Sequence, residues 1–191
     1  MNNKFKIFTQ LKNNAAGFTL GELLVSIFII AMMSSLFLVN YHGTNKRSEL
    51  GIVKQKVASD IRLAQNYSLG SKTYDGVNVP SGGWGIRFAI SSPSNYIIFA
   101  DKNENKFYDQ GEAVETKTLP AGITVSYLDG WDFYDIVYLP PDPIGYINGY
   151  GYYDDTASHR AHITLKENIN NTEAIIFVGH LGLIDPDFEL L

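Results

Sequence analysis

The chain has 191 residues, 45% of them hydrophobic and 18% charged, enough for one ordinary globular core, which excludes the disordered, collagen-like and disulfide-scaffold classes. An aromatic share of 13% with 17 glycines and 7 prolines favours a turn-rich β domain, and the absence of cysteine excludes disulfides, thiolate zinc sites and thiol nucleophiles. A formal net charge of −5 supplies no global attraction for nucleic acid or an anionic lipid surface.

Residues 1–17 carry Lys4, Lys6 and Lys12 without an acid, and Phe18 to Tyr41 is nearly all apolar. From Leu23 to Val39 only Ser26, Ser34 and Ser35 interrupt the run. A helix needs roughly 17–25 apolar residues to cross a bilayer, so this segment is expected to span. The preceding lysines predict a cytoplasmic N-terminus and an extracytoplasmic remainder, a bias that Lys46 and Arg47 soften. A secretory signal peptide has a shorter apolar core and a small-residue cleavage site, whereas this run ends in Asn40-Tyr41-His42. A lipoprotein anchor needs a cysteine. An uncleaved signal anchor stays open on these features alone. Glu22 stands at the entrance of the run, where an acid is costly and marks either a functional group or a carboxylate complementing the helix dipole.

The segment Gly17-Phe18-Thr19-Leu20-Gly21-Glu22-Leu23-Leu24 resembles the class III signal of type IV pilins and type II secretion pseudopilins. The resemblance implies that a prepilin peptidase cuts between Gly17 and Phe18 and methylates the new amine of Phe18. It also implies that the apolar helix joins a filament core, where Glu22 compensates the Phe18 ammonium of a neighbouring subunit. Gly21 stands where the family usually has a bulky aliphatic residue, and no proline occurs near Val39. Both features fit a minor subunit, because glycine inside a helix costs about 1 kcal/mol relative to alanine.

Beyond the apolar run, Leu50, Val53, Val57, Ile61, Ala64 and Ser68 recur in steps of three or four, the mark of a helix with one narrow apolar stripe. With no proline before Pro80, Phe18 to about Leu69 is expected as one helix, bent if anywhere at Gly43 or Gly51 and stopped at Gly70-Ser71. Seven short β-type runs follow: Gly85 to Ser91, Tyr96 to Ala100, Ala113 to Thr118, Ile123 to Leu128, Asp135 to Leu139, His162 to Lys166 and Ala174 to Val178. The expected fold is α+β, with the outer half of the helix laid on antiparallel sheet.

Val57-Ala58-Ser59-Asp60-Ile61-Arg62-Leu63-Ala64-Gln65, followed by Tyr96-Ile97-Ile98-Phe99-Ala100-Asp101 and an Asp/Asn-rich turn closing at Gly111-Glu112, is similar to the GspH/FimT family of minor pseudopilins and pilins. The resemblance implies a pilin-like fold, a long N-terminal helix with a membrane-spanning first half packed on antiparallel β-sheet. Some FimT-like members bind DNA through basic residues near the C-terminus. Here that region reads Gly179-His180-Leu181-Gly182-Leu183, and Asp185, Asp187 and Glu189 follow, which argues against DNA.

The window 101–112 sets oxygen side chains of Asp101, Asn103, Asn105, Asp109 and Glu112 at the spacing of a calcium loop, with the carbonyl of Phe107 at the seventh position. Lys106 occupies the position where such a loop has glycine, and the flanks read as strands, so calcium competes with a plain polar hairpin loop. His159, His162 and His180 read as ordinary surface histidines. No G-x-S-x-G elbow or Gly-rich phosphate loop occurs, and no enzyme is expected. Tyr127 to Asp135 and Tyr146 to Tyr153 are rich in aromatics, glycine and acids, suited either to packing under a loop or to binding.

These features together predict a leader at 1–17, an assembly and transmembrane helix at 18–41, an amphipathic outer half at 42–71 and a β-rich extracytoplasmic domain at 72–191. The expected function is a minor pilin or pseudopilin of the cytoplasmic (inner) membrane. Its partners are then the prepilin peptidase, other filament subunits and an inner-membrane assembly platform, with no required cofactor. The alternative is a permanently anchored extracytoplasmic binding module that uses the aromatic and acidic surface.

Overall fold

In a computed structural model of the chain the described residues are 17–141, 144–151, 160–179 and 181–186, the side chains of 37–46 set aside. Residues 1–16, most of the expected leader, and Tyr152, Tyr153, His159, His180, Asp187 and Glu189, lie outside them, as do the side chains at Val39 to His42.

One helix, α1, runs Leu20–Leu69, and nine strands follow among the described residues. They are β1 Trp84–Ala89, β2 Asn95–Ala100, β3 Ala113–Thr118, β4 Ile123–Tyr127, β5 Phe133–Tyr138, β6 Gly145–Ile147, β7 Arg160–Glu167, β8 Thr172–Gly179 and β9 Ile184–Asp185. The chain divides into two compact units, Met1–His42 and Gly43–Leu191. The first contains the start of α1, from Leu20, whose apolar side chains are exposed from Leu20 to Leu36.

The expected fold class, pilin-like α+β on a long helix with a membrane-spanning first half, needs correction. Among the described residues no helix is long and apolar enough to cross a membrane, and the rest of the regular structure is antiparallel sheet. The physical reason lies in the apolar run. Over the residues whose side chains are described there, Leu20 to Leu36, Gly21, Glu22, Ser26, Ser34 and Ser35 interrupt it.

In the second unit the sheets are a five-stranded one, ordered β3-β2-β1-β5-β6, and a four-stranded one, ordered β4-β7-β8-β9. Every strand pair is antiparallel. The helical stripe predicted from Leu50 to Ser68 is buried. Its apolar members Val57, Ile61 and Ala64 share one core with Trp84, Ile86 and Phe88 of the first sheet and Ile163, Leu165 and Ile176 of the second. Tyr96 donates from its hydroxyl to Asp60 at 2.6 Å, tying β2 to the helix inside this core.

The helix stops in a Schellman-type turn. Lys72 N–H donates to the Tyr67 carbonyl and Ser71 N–H to that of Ser68, with Ser71 at a φ of 48°. The left-handed position thus falls on Ser71, one residue past Gly70. Lys72 then lays its ammonium 3.4 Å from the centre of the Tyr67 ring.

The five-stranded sheet also has a covered outer face. Alternation along β1, β2 and β5 sends Trp84, Ile98 and Ile136 to the core and Gly85, Phe99, Val137 and Asp135 to the other side, where these four are buried as well. Phe99 meets Tyr108 edge to face with 5.5 Å between ring centres, so the 101–112 loop folds back over this face.

Candidate functional site

The most distinctive feature of the first unit is the surface from Phe18 to Leu36. Phe18 and Leu20 are more than four-fifths exposed, and Leu23, Ile27, Phe28, Ile30 and Met33 each more than half. These residues occupy every side of the helix, so no single face could be turned inward. A helix apolar all round belongs inside something, and an exposed apolar surface of this extent marks an interaction site.

At its mouth Thr19 and Glu22 form a reciprocal capping box. Glu22 N–H donates to Thr19 Oγ1 at 3.2 Å, while Glu22 Oε2 accepts from Thr19 N–H at 3.0 Å and from Thr19 Oγ1 at 2.9 Å. This arrangement satisfies donors that the first helical turn leaves without intrahelical partners. The Thr-x-x-Glu spacing of Thr19 and Glu22 is the sequence signature of this box. Gly17 and Phe18 precede the helix, and no described side chain lies within 4 Å of where one would begin at Gly17. Further along, Ser26 and Ser34 turn their hydroxyls back onto the carbonyls of Glu22 and Ile30, so these polar interruptions are satisfied within the helix.

The loop expected to suit calcium is closed on itself. Asp101 accepts from the N–H groups of Glu104 and Lys106, and Glu112 from those of Lys102 and Asp109. Asn103 and Asn105 both donate to Asp109 Oδ2, at 2.8 and 2.7 Å, and their own carbonyl oxygens accept from Asn105 and Phe107 N–H. These bonds hold the Asp109 carboxyl below its ordinary range. Lys106 does take a positive φ, 66°, at the position where a calcium loop has glycine, and its ammonium rests 3.8 Å from the centre of the Tyr146 ring. Among the described residues no group of three or more His, Asp or Glu is placed to hold a metal ion.

Beneath this loop lies a polar cluster that the sequence did not reveal. Arg87 and Asp135 face each other across β1 and β5, and Arg87 Nη1 lies 2.7 Å from Asp135 Oδ2. The same oxygen accepts from Tyr108 N–H at 3.1 Å, which latches the loop to the sheet. Asn148 accepts from Asp135 N–H and donates to the Phe133 carbonyl, bracing the strand behind. Asp135 Oδ1 is buried with no hydrogen-bond partner among the described residues, and burial pushes the carboxyl up to about 6 in spite of Arg87. Nothing short of the strand register could have joined residues 48 apart in the chain.

The aromatic segment divides between packing and exposure. Tyr134 is buried and donates to Asp129, which also pairs with His162 Nδ1 at 3.1 Å. Tyr127 and Trp131 are about half exposed. His162 packs its ring edge to face on Phe177, with centres 4.5 Å apart. No family model, curated protein or solved structure matches the chain.

Proposed function

We propose that this chain is a minor pilin or pseudopilin, a structural subunit of a type IV pilus or a type II secretion pseudopilus. The observation that carries the reading is the exposed apolar surface from Phe18 to Leu36 with a single carboxylate, Glu22, at its entrance. Such a surface needs partners, and identical helices packed around a common axis supply them. In that reading prepilin peptidase cleaves after Gly17 and methylates the Phe18 amine. Glu22 then compensates a neighbouring Phe18 ammonium in the dry interior, where an unpaired charge is strongly destabilising. Before assembly the subunit sits at the cytoplasmic (inner) membrane with its N-terminus cytoplasmic, and the assembly platform draws it into the filament. The unit Gly43–Leu191 is then the part displayed outside.

The test is coexpression of the full chain with a prepilin peptidase, read by intact mass and N-terminal sequencing, beside a Gly17→Arg variant. The expected product begins at N-methylated Phe18, and the variant stays whole. Uncleaved protein in the presence of active peptidase would overturn the reading in favour of an anchored binding module, for which the exposed Tyr127 and Trp131 are the natural contact residues.

A further inference from the structure

The five-stranded sheet ends at β3, and among the described residues no strand lies on its outer side. All of its residues except Lys117 are exposed. An edge of this kind presents a row of unpaired N–H and C=O groups, which native proteins usually guard with charge. Here the two charges, Glu115 and Lys117, are opposite in sign and stand symmetrically about Thr116. Within the strand Lys117 Nζ lies 2.5 Å from Glu115 Oε1. Their cross-strand partners Ile98 and Tyr96 face the core, so both charged side chains stand on the core side of the edge, and Thr116 and Thr118 on the other.

The register on β2 fixes which backbone groups face outward. Leu119 N–H donates to the Ser94 carbonyl, which makes 94 and 119 a hydrogen-bonded pair. In step with it, Tyr96 with Lys117 is hydrogen-bonded, whereas Ile97 with Thr116 and Asn95 with Thr118 are not. The N–H and C=O of Lys117 are therefore engaged by β2, and those of Thr116 and Thr118 point away from it. The register slips at Val114, since Ile98 stands opposite Glu115 and Phe99 opposite Ala113, so the regular edge is 115–118.

We propose that β3 pairs with β3 of a second copy of this chain, antiparallel about a two-fold axis between the two Thr116 residues, so that Glu115 of each copy faces Lys117 of the other. Outward groups must meet outward groups, so the register moves only in steps that keep Thr116 opposite an outward position. One step sets Thr116 opposite Thr118 and Lys117 opposite Lys117. The step the other way sets Glu115 opposite Glu115. Both place like charges directly across, which is destabilising, whereas the symmetric register places opposite charges across twice. Those two pairs are of the non-hydrogen-bonded kind, in which side chains approach most closely, while the Thr116 pair exchanges both of its backbone hydrogen bonds. The self-complementary patch is what a two-fold contact requires. Its axis stands normal to the sheet and reverses every direction in the sheet plane, including that of the part of α1 packed on it. The contact thus joins copies that point opposite ways, outside any bundle of parallel helices, and stands apart from the filament reading.

The chain has no cysteine, so single cysteines in the full chain, held in excess detergent and mildly oxidised, report the contact. Thr116→Cys should form a covalent dimer, because a hydrogen-bonded strand pair sets its Cα atoms about 5.5 Å apart, within disulfide reach. Thr118→Cys should stay reduced, since in this register it lies about 13 Å along the strand from its counterpart. Adding Glu115→Lys to Thr116→Cys sets lysine against lysine in both pairs and should lower the yield of dimer about tenfold. Adding Lys117→Glu as well makes the charges face each other again and should restore it. No bridge at 116, or equal bridging at 116 and 118, would overturn the pairing. A yield indifferent to Glu115→Lys, or not restored by the double exchange, would overturn the register that the charges set.

Discussion

Asp135 carries a charge balance that its place in the sequence does not show. It lies fully buried on the outer face of the five-stranded sheet, held by Arg87 and Tyr108 N–H at one oxygen and, among the described residues, by no partner at the other. Burial raises its folded-state value to about 6, above the ordinary 3.8. A carboxyl raised in this way keeps a proton in the native state that the unfolded state has already lost. Its contribution to stability is therefore full below about pH 4 and is lost as pH climbs through about 6. The loss is on the order of 3 kcal/mol. Urea midpoints of the wild type against Asp135→Asn between pH 4 and 7 check this: the wild type should fall relative to the variant across the window. The amide introduced by Asp135→Asn would keep an acceptor for Arg87 and Tyr108 without ever ionising. Glu22 presents a different separation, because its carboxylate both caps the helix and carries the charge proposed to register the filament. Glutamine serves a capping box as well as glutamate does. Glu22→Gln should therefore leave amide exchange in the first helical turn unchanged and lower filament incorporation. Unchanged incorporation, measured by subunit counting in isolated filaments, would assign Glu22 to capping alone.

At the scale of elements, the helix and seven of the strands were legible because each rests on local pattern. The stripe Leu50 to Ser68 repeats at helical spacing, Gly70-Ser71 marks its end, and runs such as Tyr96 to Ala100 are bounded by turn residues. What escaped were β6 and β9, three and two residues long, which exist because a longer neighbour offers an edge rather than because of their own composition. The cluster under the 101–112 loop escaped for a related reason, since Arg87, Tyr108 and Asp135 meet only once the register of β1 and β5 is fixed. The oxygens that share a calcium-type spacing in that loop accept from its own N–H groups, a use that spacing alone does not reveal. Gly85 shows how closely the loop is seated. A side chain begun there would lie 2.4 Å from the Phe99 ring, which is itself buried against the Tyr108 side of the loop. Gly85→Ala should displace Phe99 and cost about 1–3 kcal/mol in stability, with Tyr108 N–H losing exchange protection first. An alanine variant as stable as the wild type would mean that the loop yields without resistance.

At the scale of the whole molecule, the two units solve opposite problems. Gly43–Leu191 buries apolar residues on two sheets and the later part of α1, and the described core residues begin at Leu50. The described apolar side chains of the first unit are exposed. Stability and assembly should therefore separate by position. Ile27→Ser with Ile30→Ser removes apolar surface from the exposed segment alone, whereas Ile61→Ala opens a cavity at a fully buried site. The cavity should cost about 2–5 kcal/mol. The paired serines should leave the thermal midpoint of the second unit, read from near-ultraviolet circular dichroism of its tryptophans in detergent, where it is in the wild type. They should nonetheless reduce the share of subunit recovered in filaments. Ile61→Ala should do the reverse in sequence, lowering the midpoint first and losing filament signal only in proportion to folded protein. A shift of the midpoint by the serine pair would mean that the exposed segment buries itself against its own chain, and that its apolar surface serves folding rather than a partner.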